Sequence, residues 1–339
     1  MAKILVAGGA GFIGSHVVDE LINEGNDVVI LDNLCRGFLD NVNPKAEIVK
    51  GDVSDNNLIL NLFDKHKFDY VFHFAAQSAI GLSNFIKRYN HNVNTMGSIN
   101  LINASVIHDV KCFVFISTIG VYGSQTPPFD EEKTKPHPQD SYSISKYAIE
   151  LELKTAKRMF DLDYVIFRPY NVYGERQDIG DRYRNVVGIF MRQVLENKPI
   201  TLVGEGEQKF AFTYVSDISK VIAKSPFVKE AHNEIFNIGS EGEITSLKEL
   251  AKIISDSMGA ELNITHLPKR KEAAVAYSKI EKAKRIFNWR PTTKVKEGIK
   301  KTAEWVKKTG VRRVVELQDL EIEKNAPPSW KNEKDKNSV

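Results

Sequence analysis

The chain has 339 residues, 42% of them hydrophobic, and a formal net charge of +3, enough for one large α/β domain or two unequal ones with a substantial core. It has no Lys/Arg block of the kind that binds nucleic acid, and no run nears the roughly 18 apolar residues of a membrane span. Its cysteines, Cys35 and Cys112, lack metal-ligand spacing and suit a reducing cytoplasm as unpaired thiols; no metal site is expected.

In chain order, residues 3–7, 28–32, 47–50, 70–74, 112–117 and 164–168 read as strands, and 13–24, 54–65, 89–108 and 142–160 as helices. The first apolar run is short and ends in glycines, so it reads as a strand and not as a leader. Strands alternating with helices predict an α/β fold: a doubly wound, Rossmann-type parallel sheet covered on both faces. After residue 168 the pattern loosens. Strand-like pieces at 200–203, 210–214 and 234–238 and helical ones at 188–195, 246–258 and 295–308 are separated by long connections. The expected division is a dinucleotide-binding domain over 1–170, to which segments around 211–240 return, then a smaller substrate lobe over 171–310. A polar extension and tail occupies 311–339.

Gly8, Gly11 and Gly14 follow the first strand and open the first helix, with Phe12 and Ile13 between them. Glycines at this spacing allow a tight turn, backbone approach to a pyrophosphate and close helix–sheet packing. The helix N-terminus supplies amide donors for phosphates. Asp32, at the end of the second strand, stands where an acid accepts both ribose hydroxyls, and Asn33 follows it. Its charge would repel a 2′-phosphate, so NAD is expected over NADP; Arg36 is the nearby residue that argues the other way. Two readings stand for Asp52, which precedes Val53: a hydrogen bond to the adenine amino group, or a cap for the helix beginning near Ser54. Phe74, Ala75 and Ala76 follow strand four with small side chains that let a cofactor lie close. His73, at the end of that strand, reads as a satisfied structural residue.

Tyr142 and Lys146 are four residues apart at the start of a helix and share one face. A free phenol is a poor base at neutral pH, and a fixed positive charge beside it favours the phenolate. Such a pair is able to take a proton from a sugar or alcohol hydroxyl.

With these pieces in place, the chain resembles the extended short-chain dehydrogenase/reductase family, and within it the UDP-sugar 4-epimerases. The resemblance runs from Lys3 to Val306. It rests on the glycine turn, Asp32-Asn33-Leu34, His73-Phe74-Ala75-Ala76 and Asn92-Val93. It rests also on Ser117-Thr118 before Val121-Tyr122-Gly123, Tyr142 to Lys146, Arg168 to Gly174, and Phe212 to Asp217. It implies NAD as cofactor, a UDP-sugar as substrate and a homodimer formed through the helices at 89–108 and 142–160. It also implies roles: Thr118 bonds the reacting sugar oxygen, Tyr142 is the acid/base, and Lys146 holds the nicotinamide ribose. Asn92 orients that network, while Asn171 and Arg270 contact the diphosphate. The implied reaction takes the 4-hydroxyl proton to Tyr142 and hydride from C4 to NAD. The 4-keto sugar then turns over, hydride returns to its opposite face, and Tyr142 gives the proton back.

Three departures matter. Dehydratases and decarboxylases resembling this chain carry Asp or Glu between the Thr and the Val-Tyr-Gly; here those positions are Ile119 and Gly120, which move no protons. The family's diphosphate arginine is replaced by Phe210, leaving Arg182, Arg184 or Arg192 to supply the charge, or Phe210 to stack on a base. Ala276 aligns where larger side chains exclude an N-acetyl group, so it either admits N-acetylhexosamines or is ordinary packing.

Overall fold

The computed structural model describes residues 1–181, 183, 185–268, 275–312, 320–327 and 330. Six strands come first: β1 Lys3–Ala7, β2 Asp27–Asp32, β3 Glu47–Lys50, β4 Tyr70–His73, β5 Cys112–Ile116 and β6 Asp163–Pro169. Between them run helices α1 Phe12–Asn23, α2 Asn56–His66, α3 Ile80–Ser83, α4 Lys87–His91, α5 Gly97–Ile107 and α6 Ser141–Phe160. With β11 (Glu234–Ile238) these strands form a seven-stranded sheet in the order β11-β6-β5-β4-β1-β2-β3. Every neighbouring pair is parallel.

Alternate residues of each strand enter different cores, as the period of two requires. Ile4, Val6, Phe72 and Val114 face α1 and the later helix α8 (Val215–Lys224). Leu5, Ala7, Val71, Phe113 and Phe115 face α2, α5 and α6. All are fully buried, and each side chain larger than Ala7 contributes roughly 1.5–3 kcal/mol of apolar transfer. Helix α6 starts where Asp140 accepts from the Ser143 N–H and stops at Asp161 in the left-handed region.

The second half adds β7 Val172–Tyr173, α7 Val186–Leu195, β8 Ile200–Val203, β9 Lys209–Ala211 and β10 Thr213–Tyr214 before α8. After β11 come β12 Ile244–Ser246, α9 Leu247–Met258, β13 Ile264–Leu267, β14 Val275–Ala276, α10 Glu281–Phe287 and α11 Val295–Thr309. A separate core of Tyr173, Phe190, Met191, Leu202, Leu250, Ile254 and Ile299 joins α7, α9 and α11. The expected strand at 210–214 is divided at Phe212. β9 pairs with β12 and β14, whereas β10 pairs with β7.

Between α4 and α5, residues Asn92–Met96 form one π-turn, so the helix runs on with an extra residue. The widened turn points Asn90 and Asn94 inward, both buried. Asn92 faces outward and is exposed.

Candidate active site

A cleft of about 440 Å³ opens at the carboxyl ends of the strands, where the sheet order reverses between β1 and β4. Gly8 makes the turn at φ +83°, and a Cβ placed on it would lie 2.4 Å from the Ala75 backbone nitrogen. The turns after β1 and β4 thus meet backbone to backbone, and no side chain fits at position 8. No side chain caps the N-terminus of α1, which follows Gly11. Its first amides stay open to phosphate oxygens.

Asp32 closes β2 inside this cleft and is 8% exposed. Its carboxylate accepts from the Ala10 N–H at 3.0 Å and the Leu34 N–H at 2.8 Å. Burial raises its pKa against the pull of those two bonds. Asn33 donates to Asp52 at 2.6 Å, and the Ser54 hydroxyl and N–H donate to the other oxygen. Burial pushes the Asp52 carboxyl up, but these bonds prevail and hold it below its ordinary value. The cap of α2 is Asp55, which accepts from the Leu58 N–H, so the capping alternative for Asp52 is corrected. Arg36 stands 3.5 Å from Asp178 and 3.6 Å from Asp181, both buried carboxylates. Its charge is therefore engaged across the cleft, which removes it as an argument for NADP.

Tyr142, Lys146 and Glu150 follow one another along the buried face of α6. The Tyr142 N–H donates to Ser83 Oγ at 3.1 Å. Lys146 Nζ donates to the Ile116 carbonyl at 2.8 Å and stands 6.0 Å from the centre of the Tyr142 ring. Burial pushes Lys146 down to about 7, opposed by the Glu150 charge. Glu150 is fully buried and satisfied: Arg168 donates to it through two nitrogens, and Ser117 Oγ donates at 2.5 Å. Arg168 continues to the Tyr122 hydroxyl, and that hydroxyl to Asn237. The helix face is thereby locked to the ends of β5, β6 and β11 through partners whose polar atoms are paired.

Thr118 follows β5, lines the cleft and accepts from the Gly120 N–H at 3.0 Å. A Cβ at Gly120 would lie 2.5 Å from Ser143 Oγ, a hydroxyl that donates to Asp140. Besides carrying no acid, this position has no room for one while Ser143 keeps its place. Asn171 adopts φ +40°, tolerable for Asn, and donates to the Ala211 carbonyl at 3.1 Å from the cleft wall.

The expected cofactor residues line the cleft, with one exception. Asn92 is turned out by the π-turn, and Asn94 takes the inner position, bonding both backbone groups of Gln77 and Ser145 Oγ. Ala276 is absent from the cleft lining; it packs with Val121, Tyr122 and Phe129, beside Tyr147. Its backbone lies opposite Phe210. The packing alternative fits this environment. Arg270, Arg182 and Arg184 lie outside the described residues. Arg192 donates to the Gly180 carbonyl and is not part of the cleft wall. His73 is fully buried; Ser98 Oγ donates to the Asn94 carbonyl and so accepts from His73 Nε2–H at 2.7 Å. Burial holds that imidazole well below its ordinary pKa, in the neutral form.

Gln77 and Gln177, not singled out in the sequence, line the cleft, and each buries a side-chain polar atom with no partner, Nε2 and Oε1 respectively. Together with the bare α1 amides, the backbone contact at Gly8 and the Asp32 carboxylate, they fit a dinucleotide. Glu150 was also not singled out, although it continues the 142, 146 spacing by one more turn and that signal could have found it. Gln77 carries no spacing signal.

The family model described as "NAD dependent epimerase/dehydratase family" matches residues 4–239. A putative UDP-glucose 4-epimerase of Methanocaldococcus jannaschii is 39% identical over 308 residues, covering 90% of this chain and 98% of the relative. The crystal structure of UDP-glucose 4-epimerase from Thermotoga maritima with UDP-glucose is 35% identical, with a TM-score of 0.85 over 91% of this chain and 99% of that one. The Thermus thermophilus UDP-glucose 4-epimerase complex with NAD is 30% identical, with a TM-score of 0.84 and coverage of 91% and 99%. The fold that carries the glycine-lined cleft is thus shared with these structures, and the chain belongs to the NAD-dependent epimerase/dehydratase family, with NAD as its cofactor.

Proposed function

We propose that the protein is a UDP-hexose 4-epimerase working through a transient 4-keto sugar. The observation that carries this reading is the pairing of Tyr142 and Lys146 at the floor of the cleft with Ile119 and Gly120 beside Thr118. A base is present, the acid that elimination or decarboxylation would recruit is missing at both positions, and position 120 has no room for one while Ser143 keeps its place.

NAD, when bound, supplies the oxidising and reducing equivalents at C4. Asp32 accepts the adenosine ribose hydroxyls, and the α1 amides face the pyrophosphate. Lys146 holds the nicotinamide ribose and, when protonated, stabilises the Tyr142 phenolate. Tyr142 takes the proton of the sugar 4-hydroxyl and later returns it to the 4-keto oxygen. General acid–base work of this kind is worth about 10²–10⁴ in rate. Thr118 bonds the same oxygen, and Asn171 contacts the diphosphate. Residues of β6 and earlier, with β11, hold the cofactor; those around α7, α9 and α11 form the substrate lobe.

The test is incubation of the protein with UDP-galactose, and separately with UDP-N-acetylgalactosamine, without added reductant, followed by sugar analysis. UDP-glucose is expected from the first. Net release of NADH would point to a dehydrogenase instead, and binding without turnover would end the enzymatic reading.

A homodimer is proposed through the outward faces of the helices at 89–108 and 142–160. Met96 and Ile107, with Ile144 and Leu151 on α6, are exposed apolar residues at helical spacing. Pairing these helices with a second copy would cover them. Light scattering during size exclusion reads the mass, and a monomer at micromolar concentration refutes the pairing.

A further inference from the structure

The three relatives described above are spanned over 98–99% of their length by about nine tenths of this chain, and the resemblance ends at Val306. Beyond α11 the chain crosses back to the cleft. Arg312 lies 3.6 Å over the Phe38 ring and donates to Asn41 Oδ1 and the Arg176 carbonyl, each at 2.9 Å. Its own carbonyl lies 2.9 Å from where a Cβ of Gly180 would stand. Further on, the Glu321 and Ile322 N–H groups donate to the Phe85 carbonyl at 2.9 and 3.1 Å. The Glu321 carboxylate accepts from the Arg88 and Tyr89 N–H groups, both at 2.8 Å, at the open end of α4. Trp330 meets Phe85 edge-on at 5.6 Å and Tyr183 at 5.1 Å. With Leu320 it completes an apolar cluster on Ala79, Leu82 and Ile86.

These contacts fall on both walls of the cleft mouth. Ile80, Gly81 and Tyr89 line it from the sheet domain, and Tyr183 lines it from the loop after β7. The braced segment also touches the reacting helix, because Ser83 Oγ accepts the Tyr142 N–H. We infer that the C-terminal extension is a brace for the cofactor cleft. Trp330, Glu321 and Arg312 act as positioning residues: Trp330 ties the 79–89 segment to Tyr183, Glu321 seats the extension on Arg88 and Tyr89, and Arg312 ties Phe38 and Asn41 to Arg176, and together they slow the escape of bound NAD. A wall held in place by packed aromatics and charge-assisted bonds needs less ordering when a ligand binds, and opens less often to release it.

The inference rests on NAD being the cofactor, and not on which sugar is turned over, so its principal readout needs no sugar. The experiment measures release of bound NAD from the full-length protein, from Trp330→Ala, and from a chain ended after residue 312. Both altered chains are expected to lose NAD about tenfold faster. With a sugar substrate, KM rises while kcat at saturating NAD changes less than about twofold. Trp330→Phe, which keeps an aromatic ring between Phe85 and Tyr183, is expected to restore slow release. Should Trp330→Ala not fold, Glu321→Gln, on an exposed contact, carries the same expectation at about threefold. NAD release equal to the parent's in a folded variant lacking the extension or the Glu321 charge overturns the brace. So does release that Trp330→Phe fails to slow.

Discussion

Asp32 offers the sharpest test of how the cleft chooses its cofactor, because the same carboxylate serves the fold and the ligand. In the protein it accepts from Ala10, which is fully buried, and from Leu34, which takes φ +60°. Asp32→Ala leaves the Ala10 N–H buried without an acceptor and loosens the Leu34 turn. At about 1–3 kcal/mol for a stranded buried donor and less for the partly exposed one, the loss of stability is about 2–4 kcal/mol. Asp32→Asn keeps one acceptor oxygen and sheds the cost of burying a charge, which is what the raised pKa of Asp32 records. Its loss is expected near 1 kcal/mol.

On the ligand side, each of the two charge-assisted ribose bonds is worth about 1.5–3 kcal/mol, so Asp32→Ala weakens NAD by roughly 10²- to 10⁴-fold. NADP gains from the removal of repulsion but finds no cation, since Arg36 is engaged by Asp178 and Asp181. Preference for NAD therefore narrows without inverting. Urea unfolding reads the first effect, and titration calorimetry with NAD and NADP reads the second. Unchanged NAD affinity and unchanged preference in a folded Asp32→Ala would mean the carboxylate does not face the ribose. Unchanged stability would refute the account of the turn.

Tyr142→Phe removes the proton carrier while the backbone bond to Ser83 remains; turnover is expected to fall by about 10²–10⁴ with NAD still bound, and near-parental kcat would exclude the hydroxyl from the chemistry. Phe210→Arg places a guanidinium on β9 at the position to which the resemblance assigns diphosphate binding; if that assignment holds, UDP-sugar KM is expected to fall about tenfold, and an unchanged KM would assign that charge to another residue. Glu131 accepts from both the backbone N–H and the amide of Asn237, and burial pushes its carboxyl up to about 7. The unfolded carboxyl ionises near 4.5 and the folded one near 7, so this group's stability contribution is whole below the first value and is lost as pH rises through the second. Glu131→Gln should flatten that slope, gaining about 1–2 kcal/mol on the parent between pH 5 and pH 8; parallel urea-unfolding curves at the two pH values would contradict it.

Much of the sheet was legible because its strands are buried on both faces. A run such as Val114-Phe115-Ile116 has nothing polar to blur its ends, so its limits stand out. The glycine turn and the Tyr142, Lys146 face were legible because each couples a spacing to a chemistry. Asn92 was assigned through the resemblance at Asn92-Val93, and a motif match does not say which way a side chain points; the π-turn that begins there leaves Asn92 exposed and brings Asn94 inward. The 210–214 run has strand character throughout, yet propensity does not say with whom a strand pairs; full burial of Phe212 divides it between two sheets. Helix α8 shows Val215, Ile218 and Ile222 on one face, but strand-like residues lead into it, and only its packing on α1 decides the matter. The Arg36 clasp was out of reach altogether: its partners are more than 140 residues away, and nothing local in Asp178 or Asp181 announces them.

The proposed reaction, which takes hydrogen from C4 and gives it back, asks the protein to keep its cofactor through many turnovers while sugars come and go. The ties across the cleft mouth all join segments remote in the chain: Arg36 to Asp178 and Asp181, Ser83 to Tyr142, and Trp330 to Phe85 and Tyr183. Because the carboxylates that hold Arg36 are buried, that clasp is screened little by salt. Trp330, being aromatic, contributes by packing and is indifferent to ionic strength altogether. Retention of NAD should accordingly persist at salt concentrations of about 0.5 M, where surface ion pairs such as Lys65 with Glu47 contribute almost nothing. A cofactor held mainly by exposed charge would instead be lost over that range, so salt separates a braced cleft from an electrostatic one.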